Sequence, residues 1–192
     1  MTDESCKHFI GAEELLIDSF KLGLQILEDG FRPDVLLALW RGGSVVGMAI
    51  QELFGFAGLE VEHLPIKTSH YETLERVKPE VFVQSLDHLV GSFGQADKLL
   101  IVDDVVDTGR TVEAVIETLE RTPGCERLKD VRVASIWNKP SMSVTGRMPN
   151  YFLYSTDQWL VFPHEMEGLK AEELAKKHVF FDGLVKRLNE IF

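Results

Sequence analysis

The chain has little cysteine, and that scarcity excludes two classes of protein at once. Only Cys6 and Cys125 occur in 192 residues, far apart, so neither a disulfide framework nor a cysteine-built zinc site is expected and both read as free thiols. Long apolar runs are missing too: none approaches the roughly 20 residues a helix needs to cross a bilayer. The opening residues from Met1 to Lys7 lack the basic region and apolar core of a secretory leader. The expectation is a cytoplasmic protein with no membrane span. Basic residues are in deficit, 20 Lys and Arg against 31 Asp and Glu, and the net charge is -11. Nucleic-acid binding relies on Lys and Arg displacing counterions, so no nucleic-acid partner is expected. The histidines form no metal-ligand pattern, since His164-Glu165 has no second His at the spacing of a zinc-protease helix. No repeat, low-complexity tract or Pro/Gly/Ser-rich linker interrupts the sequence. Residues 1–192 therefore read as one domain, long enough to bury a substantial core.

What the sequence does contain is an alternation of helix and strand patterns. From Ala12 to about Asp29, Leu16, Phe20, Leu24 and Leu27 recur at helical spacing, and Gly30 is a stop signal. Val35 to Leu39 is a short apolar run between Pro33-Asp34 and Gly42-Gly43, the pattern of a strand buried on both faces. A second helix is expected near Ser44. Further strands are expected at Val61 to Ile66, Leu99 to Val102 and Val131 to Ile136, with a helix after Thr111 marked by Val112, Val115, Ile116 and Leu119. Near the C-terminus, Phe181, Leu184, Val185 and Leu188 line one face of a packing helix. Alternating strands and helices predict an α/β fold with a parallel, doubly wound sheet. Ligands gather at the carboxyl ends of such strands, where Arg41-Gly42-Gly43 and the acidic segment after Val102 would both emerge.

That acidic segment carries the first functional signal. Charged residues avoid the end of a buried strand unless a partner awaits them, yet Leu99 to Val102 runs straight into Asp103 and Asp104. Ionised carboxylates only accept hydrogen bonds, and a ribose diol offers two donors. Next, Asp107-Thr108-Gly109-Arg110-Thr111 has the composition of an anion cradle: hydroxyl side chains, a glycine for close approach and a helix start whose backbone N–H groups suit a phosphate. Together the two halves describe a sugar phosphate. The same residues also fit a plain strand-end turn with Thr111 as a helix cap.

The segment from Leu100 to Thr111, an apolar strand, two acids and then Asp-Thr-Gly-x-Thr, closely resembles the phosphoribosyl pyrophosphate (PRPP) signature of type I phosphoribosyltransferases. The resemblance implies their fold, a mostly parallel doubly wound sheet flanked by helices, with a small hood contributed by N-terminal and/or C-terminal segments. It assigns Asp103 and Asp104 to the ribose of PRPP and to Mg2+, and Asp107, Thr108, Gly109, Arg110 and Thr111 to the 5'-phosphate. Trp40-Arg41-Gly42-Gly43 resembles the family's pyrophosphate loop, with Arg41, Gly42 and Gly43 on the leaving group. A non-proline cis peptide between Trp40 and Arg41 is implied as well, although Trp40 is bulkier than the small residue such loops carry. Lys67 to Glu72 falls where these enzymes have a mobile loop that closes over the reaction centre, with Ser69 and Tyr71 as its candidate residues.

The acceptor is read from a second resemblance. Asn138-Lys139-Pro140, followed about twenty residues later by Asp157-Gln158-Trp159-Leu160-Val161-Phe162-Pro163, resembles the xanthine-guanine branch of the purine enzymes. A planar purine wants an aromatic face, which Trp159 offers, and its 6-oxo group wants a cationic donor, which Lys139 offers. Backbone groups around Leu160 would read the purine edge near position 2. Taken singly, each also fits a solvated loop lysine or a buried core tryptophan. His164 stands where related sequences commonly carry a tryptophan, and Glu165 where the resemblance implies an acid acting indirectly on the pyrophosphate-bound metal. The implied activity is transfer of the 5-phosphoribosyl group from PRPP to N9 of hypoxanthine, guanine or xanthine, releasing pyrophosphate, in purine salvage. Asp107 would be the catalytic residue, near the purine N7, and the relatives imply a homodimer or homotetramer. Two further readings stay open: a non-catalytic regulator that senses PRPP through the same pocket, and an enzyme for a pyrimidine base.

Overall fold

Short apolar runs bounded by turn residues become the strands of a computed structural model that describes residues 7–71, 80–83, 96–178 and 180–191. Cys6 and Glu72 lie outside the described residues. In chain order the first elements are β1 (Lys7–Phe9), α1 (Ala12–Glu28), β2 (Val35–Trp40), α2 (Gly42–Phe56), β3 (Glu62–Tyr71) and β4 (Glu80–Val83). Then come β5 (Lys98–Val106), α3 (Arg110–Arg121), β6 (Asp130–Asn138) and, after a 3-10 turn at Pro140–Met142, β7 (Tyr151–Ser155). The last are β8 (Trp159–Val161), α4 (Ala171–Lys177) and α5 (Phe180–Ile191). The chain clusters into two compact units, one of Leu16–Asp157 and one joining Met1–Leu15 to Gln158–Phe192.

The larger unit holds a six-stranded sheet in the order β4-β3-β2-β5-β6-β7. Every neighbouring pair is parallel except β3 with β4. The chain leaves β2 toward β3 on one side and returns to lay β5 on the other. That reversal opens a crevice beyond the carboxyl ends of β2 and β5, the place where doubly wound sheets take ligands. Leu36, Leu37, Leu100 and Ile101 are buried although they alternate between the two faces, as a sheet covered on both sides requires. On one face, Val112, Val115 and Leu119 of α3 pack with Leu37, Leu39, Ile101 and Val133.

Among the elements that the sequence led one to expect, three differ in extent or orientation for a clear physical reason. β3 runs past Ile66 to Tyr71 because Thr68 to Tyr71 pair antiparallel with Val83 to Glu80. Ser69 and Tyr71, expected on a loop, therefore lie in a strand. β5 runs past Val102 to Val106 because β6 continues beside it, so Asp103 and Asp104 sit within a strand rather than on the turn after it. α1 turns its other side inward: Leu15, Leu22 and Ile26 are buried, while Leu16, Phe20 and Leu24 face outward.

The smaller unit pairs β1 with β8 in parallel, Lys7 opposite Trp159, His8 opposite Leu160 and Phe9 opposite Val161. α4 and α5 pack on each other within it. No helix among the described residues is long and apolar enough to cross a membrane. Cys125, in the larger unit, is a buried free thiol.

Candidate active site

β5 carries the acid pair into the crevice, and its backbone holds both side chains in place. Asp103 Oδ1 accepts the N–H of Asp104 at 3.0 Å, and Asp104 Oδ1 accepts the N–H of Val105 at 2.8 Å. Burial and the neighbouring charge of Asp104 push the Asp103 carboxyl well above the usual carboxylate range, against hydrogen bonds donated by the N–H groups of Asp104 and Gly43. The residues after β2 come up against the acid pair. A Cβ on Gly42 would stand 2.0 Å from Asp104 Oδ2, and one on Gly43 would stand 2.2 Å from the Val102 carbonyl oxygen. Only glycines let the start of α2 lie this close to β5. The peptide between Trp40 and Arg41 is cis, as the resemblance implied.

A cavity of about 390 Å3 brings together Trp40, Asp103, Asp104, Asp107, Thr108, Gly109 and Thr111. Gly109 has φ +79° and precedes the first turn of α3, and Thr108 Oγ1 accepts the N–H of Arg110 at 3.4 Å. Arg110 is not part of the cavity wall. Arg41 is exposed at the N-terminal end of α2.

Lys139, at the carboxyl end of β6, reaches back to the same wall. Its Nζ lies 3.3 Å from Asp107 Oδ2, and the lysine side chain is 12% exposed. A lysine so covered reads as placed by its partner, not as a solvated loop residue. The other oxygen, Asp107 Oδ1, is buried without a hydrogen-bond partner among the described residues. Sequence reasoning missed Thr68, which lines the cavity from β3, and Thr145, whose Oγ1 would stand 2.3 Å from a Cβ on Gly109. Neither belongs to a motif; only the antiparallel extension of β3 and the return of the chain after β6 place them.

Trp159, Leu160 and Glu165 belong to the smaller unit. Trp159 is 66% exposed and Leu160 is buried, so the tryptophan is not the core residue that its type alone would suggest. Glu165 Oε2 accepts the N–H of Phe162 at 2.9 Å, which bends the chain after β8 into a closed turn. The rings of Phe162 and His164 stack within that turn, 5.7 Å between centroids.

No group of three or more His, Cys, Asp or Glu that could hold a metal occurs among the described residues. The donor set fits a magnesium ion all the same. Two adjacent carboxylates suit a hard dication that keeps water and substrate phosphate oxygens as its remaining ligands.

The phosphoribosyl transferase domain family matches residues 12–169. A xanthine-guanine phosphoribosyltransferase of Desulfotalea psychrophila is 29% identical over 168 residues, 86% of this chain and 90% of that protein. An adenine phosphoribosyltransferase of Francisella philomiragia is 28% identical over 98 residues, 51% of this chain and 55% of that protein. Among solved structures, a purine phosphoribosyltransferase from Pyrococcus horikoshii shares the fold at a TM-score of 0.66 and 24% identity, over 85% of this chain and 97% of that one.

Proposed function

This chain belongs to the phosphoribosyl transferase domain family, and from that membership we propose that it transfers the 5-phosphoribosyl group of PRPP to N9 of a 6-oxopurine, releasing pyrophosphate, in purine salvage. The observation that carries the choice of base is the pair of Lys139 Nζ and Asp107 Oδ2, 3.3 Å apart, whose Asp107 lines the donor cavity. A 6-oxo group accepts a hydrogen bond from the ammonium. The 6-amino group of adenine is a donor and meets Lys139 unfavourably.

In this reading N9 attacks C1', the bond from C1' to the pyrophosphate oxygen breaks with inversion, and positive charge develops on the ribose ring. Asp103 and Asp104 accept hydrogen bonds from the ribose hydroxyls. The N–H groups around Thr108, Gly109, Arg110 and Thr111 hold the 5'-phosphate, and Arg41 with the backbone of Gly42 and Gly43 receives the pyrophosphate. Asp107 accepts the proton that the base sheds at N7 as N9 becomes the nucleophile. Mg2+ held by Asp103 and Asp104 would neutralise charge on the leaving group, with Glu165 contributing indirectly. Trp159 supplies the stacking face and the backbone at Leu160 reads the edge near position 2. Ser69 and Tyr71 are assigned to the segment that closes over the reaction.

The test is incubation with Mg2+, PRPP and each of hypoxanthine, guanine, xanthine, adenine, uracil and orotate. Pyrophosphate and a nucleotide are expected with at least one 6-oxopurine, and none with adenine, uracil or orotate. Turnover of a pyrimidine alone would replace this reading by the pyrimidine one, and PRPP binding without turnover of any base would replace it by the sensor. We also propose a homodimer or homotetramer. Leu16, Ile17, Phe20 and Leu24 leave an apolar stripe exposed on α1 that a second copy would cover, and light scattering of the purified chain would show a monomer if that is wrong.

A further inference from the structure

The proposed stacking residue Trp159 is 66% exposed, so burial does not set the plane of its indole. An exposed aromatic side chain keeps rotamer freedom that ligand binding must remove. One neighbour restrains it. Lys7 stands in register with Trp159 across the parallel β1–β8 pair, and register neighbours project from the same face of a sheet. The Lys7 ammonium lies 6.0 Å from the indole centroid, at the reach of a cation–π contact.

That ammonium is itself tied down. It is ion-paired with Glu173 Oε1, and the two side chains are only 25% and 15% exposed. The other carboxylate oxygen, Glu173 Oε2, accepts the N–H of Lys170 at 2.9 Å, capping the start of α4. One carboxylate therefore couples the beginning of a helix to Lys7, and Lys7 to the indole. The same helix secures the turn that follows β8, where Lys177 Nζ donates to the carbonyls of Phe162 and Glu165. Nothing in the phosphoribosyl transfer reaction calls for Lys7 or Glu173.

We propose that Lys7 and Glu173 are positioning residues that fix the indole plane of Trp159 before the purine base arrives. The inference rests on the reading of Trp159 as the base-stacking residue. Ordering the indole in advance removes a cost that the base would otherwise meet on binding, so its effect falls on the base and not on PRPP.

Steady-state kinetics of Lys7→Ala, Glu173→Gln and Trp159→Ala test it. Lys7→Ala and Glu173→Gln should each raise KM for the base by about three- to ten-fold while KM for PRPP changes by less than about two-fold. Lys7→Arg, which keeps the cation and its ion pair, should restore the base KM. Independently of turnover, the Trp159 fluorine resonance of 5-fluorotryptophan-labelled protein should shift and broaden in Lys7→Ala without ligand. If Trp159→Ala raises the base KM while Lys7→Ala and Glu173→Gln do not, the positioning pair is refuted and the base site stands. A parallel rise in both KM values also refutes it, since that is general loss of structure. If Trp159→Ala leaves the base KM unchanged, the stacking reading fails and the positioning pair falls with it.

Discussion

Asp107 has two unlike oxygens. Oδ2 accepts from Lys139 at 3.3 Å, whereas Oδ1 is buried with no hydrogen-bond partner among the described residues. A buried acceptor left unpaired costs about 1–3 kcal/mol, which a substrate N–H would offset. Asp107→Asn keeps the shape and an oxygen for Lys139 but cannot take a proton. Turnover should fall by roughly 10²- to 10⁴-fold while PRPP affinity, measured by titration calorimetry, changes far less. Equal and small effects on both would remove the acid-base role. Gly42 makes a different kind of prediction. With a Cβ due 2.0 Å from Asp104 Oδ2, Gly42→Ala must displace either the α2 start or the acid pair. The expected loss is about 1–3 kcal/mol in a urea titration, with a raised KM for PRPP. Unchanged values of both would mean that the two loops need not touch.

Elements were legible where hydrophobic period and burial agree, and obscure where a neighbouring strand decides. α3 reads correctly because Val112, Val115 and Leu119 form a single stripe, and all three are buried. α1 carries apolar residues around most of its circumference, so its period announces a helix without saying which side packs; Leu22 and Ile26 face in, and Leu16 and Leu24 face out. The extents of β3 and β5 depended on pairing with β4 and β6, and no local pattern discloses a pairing. The donor motif was readable because its residues are consecutive, whereas Thr68 and Thr145 come to it from distant segments. The end of α1 is held in a similarly non-local way. Tyr151 on β7 donates to Asp29 Oδ2 at 2.7 Å, Arg132 on β6 pairs with the same oxygen at 2.7 Å, and the Arg132 guanidinium lies 4.3 Å from the Phe31 ring centroid. Burial, then the hydrogen bond to Asp29, pushes the Tyr151 phenol from 10.0 up to about 12. Between those values the folded chain keeps a proton that the unfolded chain has lost. Stability from this group is therefore whole below pH 10 and declines as pH rises toward 12. In urea titrations across that window the midpoint of Tyr151→Phe should fall less steeply than that of the parent. Identical slopes would place the tyrosine outside the linkage.

At the scale of the molecule, the residues proposed for the donor lie in one compact unit, whereas Lys139 and Trp159, both proposed for the base, lie one in each. Asp103, Asp104, Asp107 and the loop after β2 lie in Leu16–Asp157, and Trp159 and Leu160 lie in the unit that joins Met1–Leu15 to Gln158–Phe192. Ligands of different extent should therefore leave different footprints in backbone hydrogen exchange. PRPP with Mg2+ is expected to protect residues 40–44 and 103–113 and to leave 159–161 as in the free protein. The nucleoside monophosphate product carries the base, so it should extend protection to 159–161. Both ligands should raise the unfolding temperature. At 100 times its dissociation constant a ligand adds about 2.7 kcal/mol, and a chain of this length gains roughly 2–4 °C for each kcal/mol, so the midpoint should climb by roughly 5–10 °C. The temperature shift alone cannot separate an enzyme from a PRPP sensor, because a sensor gains it equally. The footprint can: a product that protects only the donor segments would mean that the smaller unit takes no part in holding the base, and the assignment of Trp159 and Leu160 would be lost even if the donor site survived every other test.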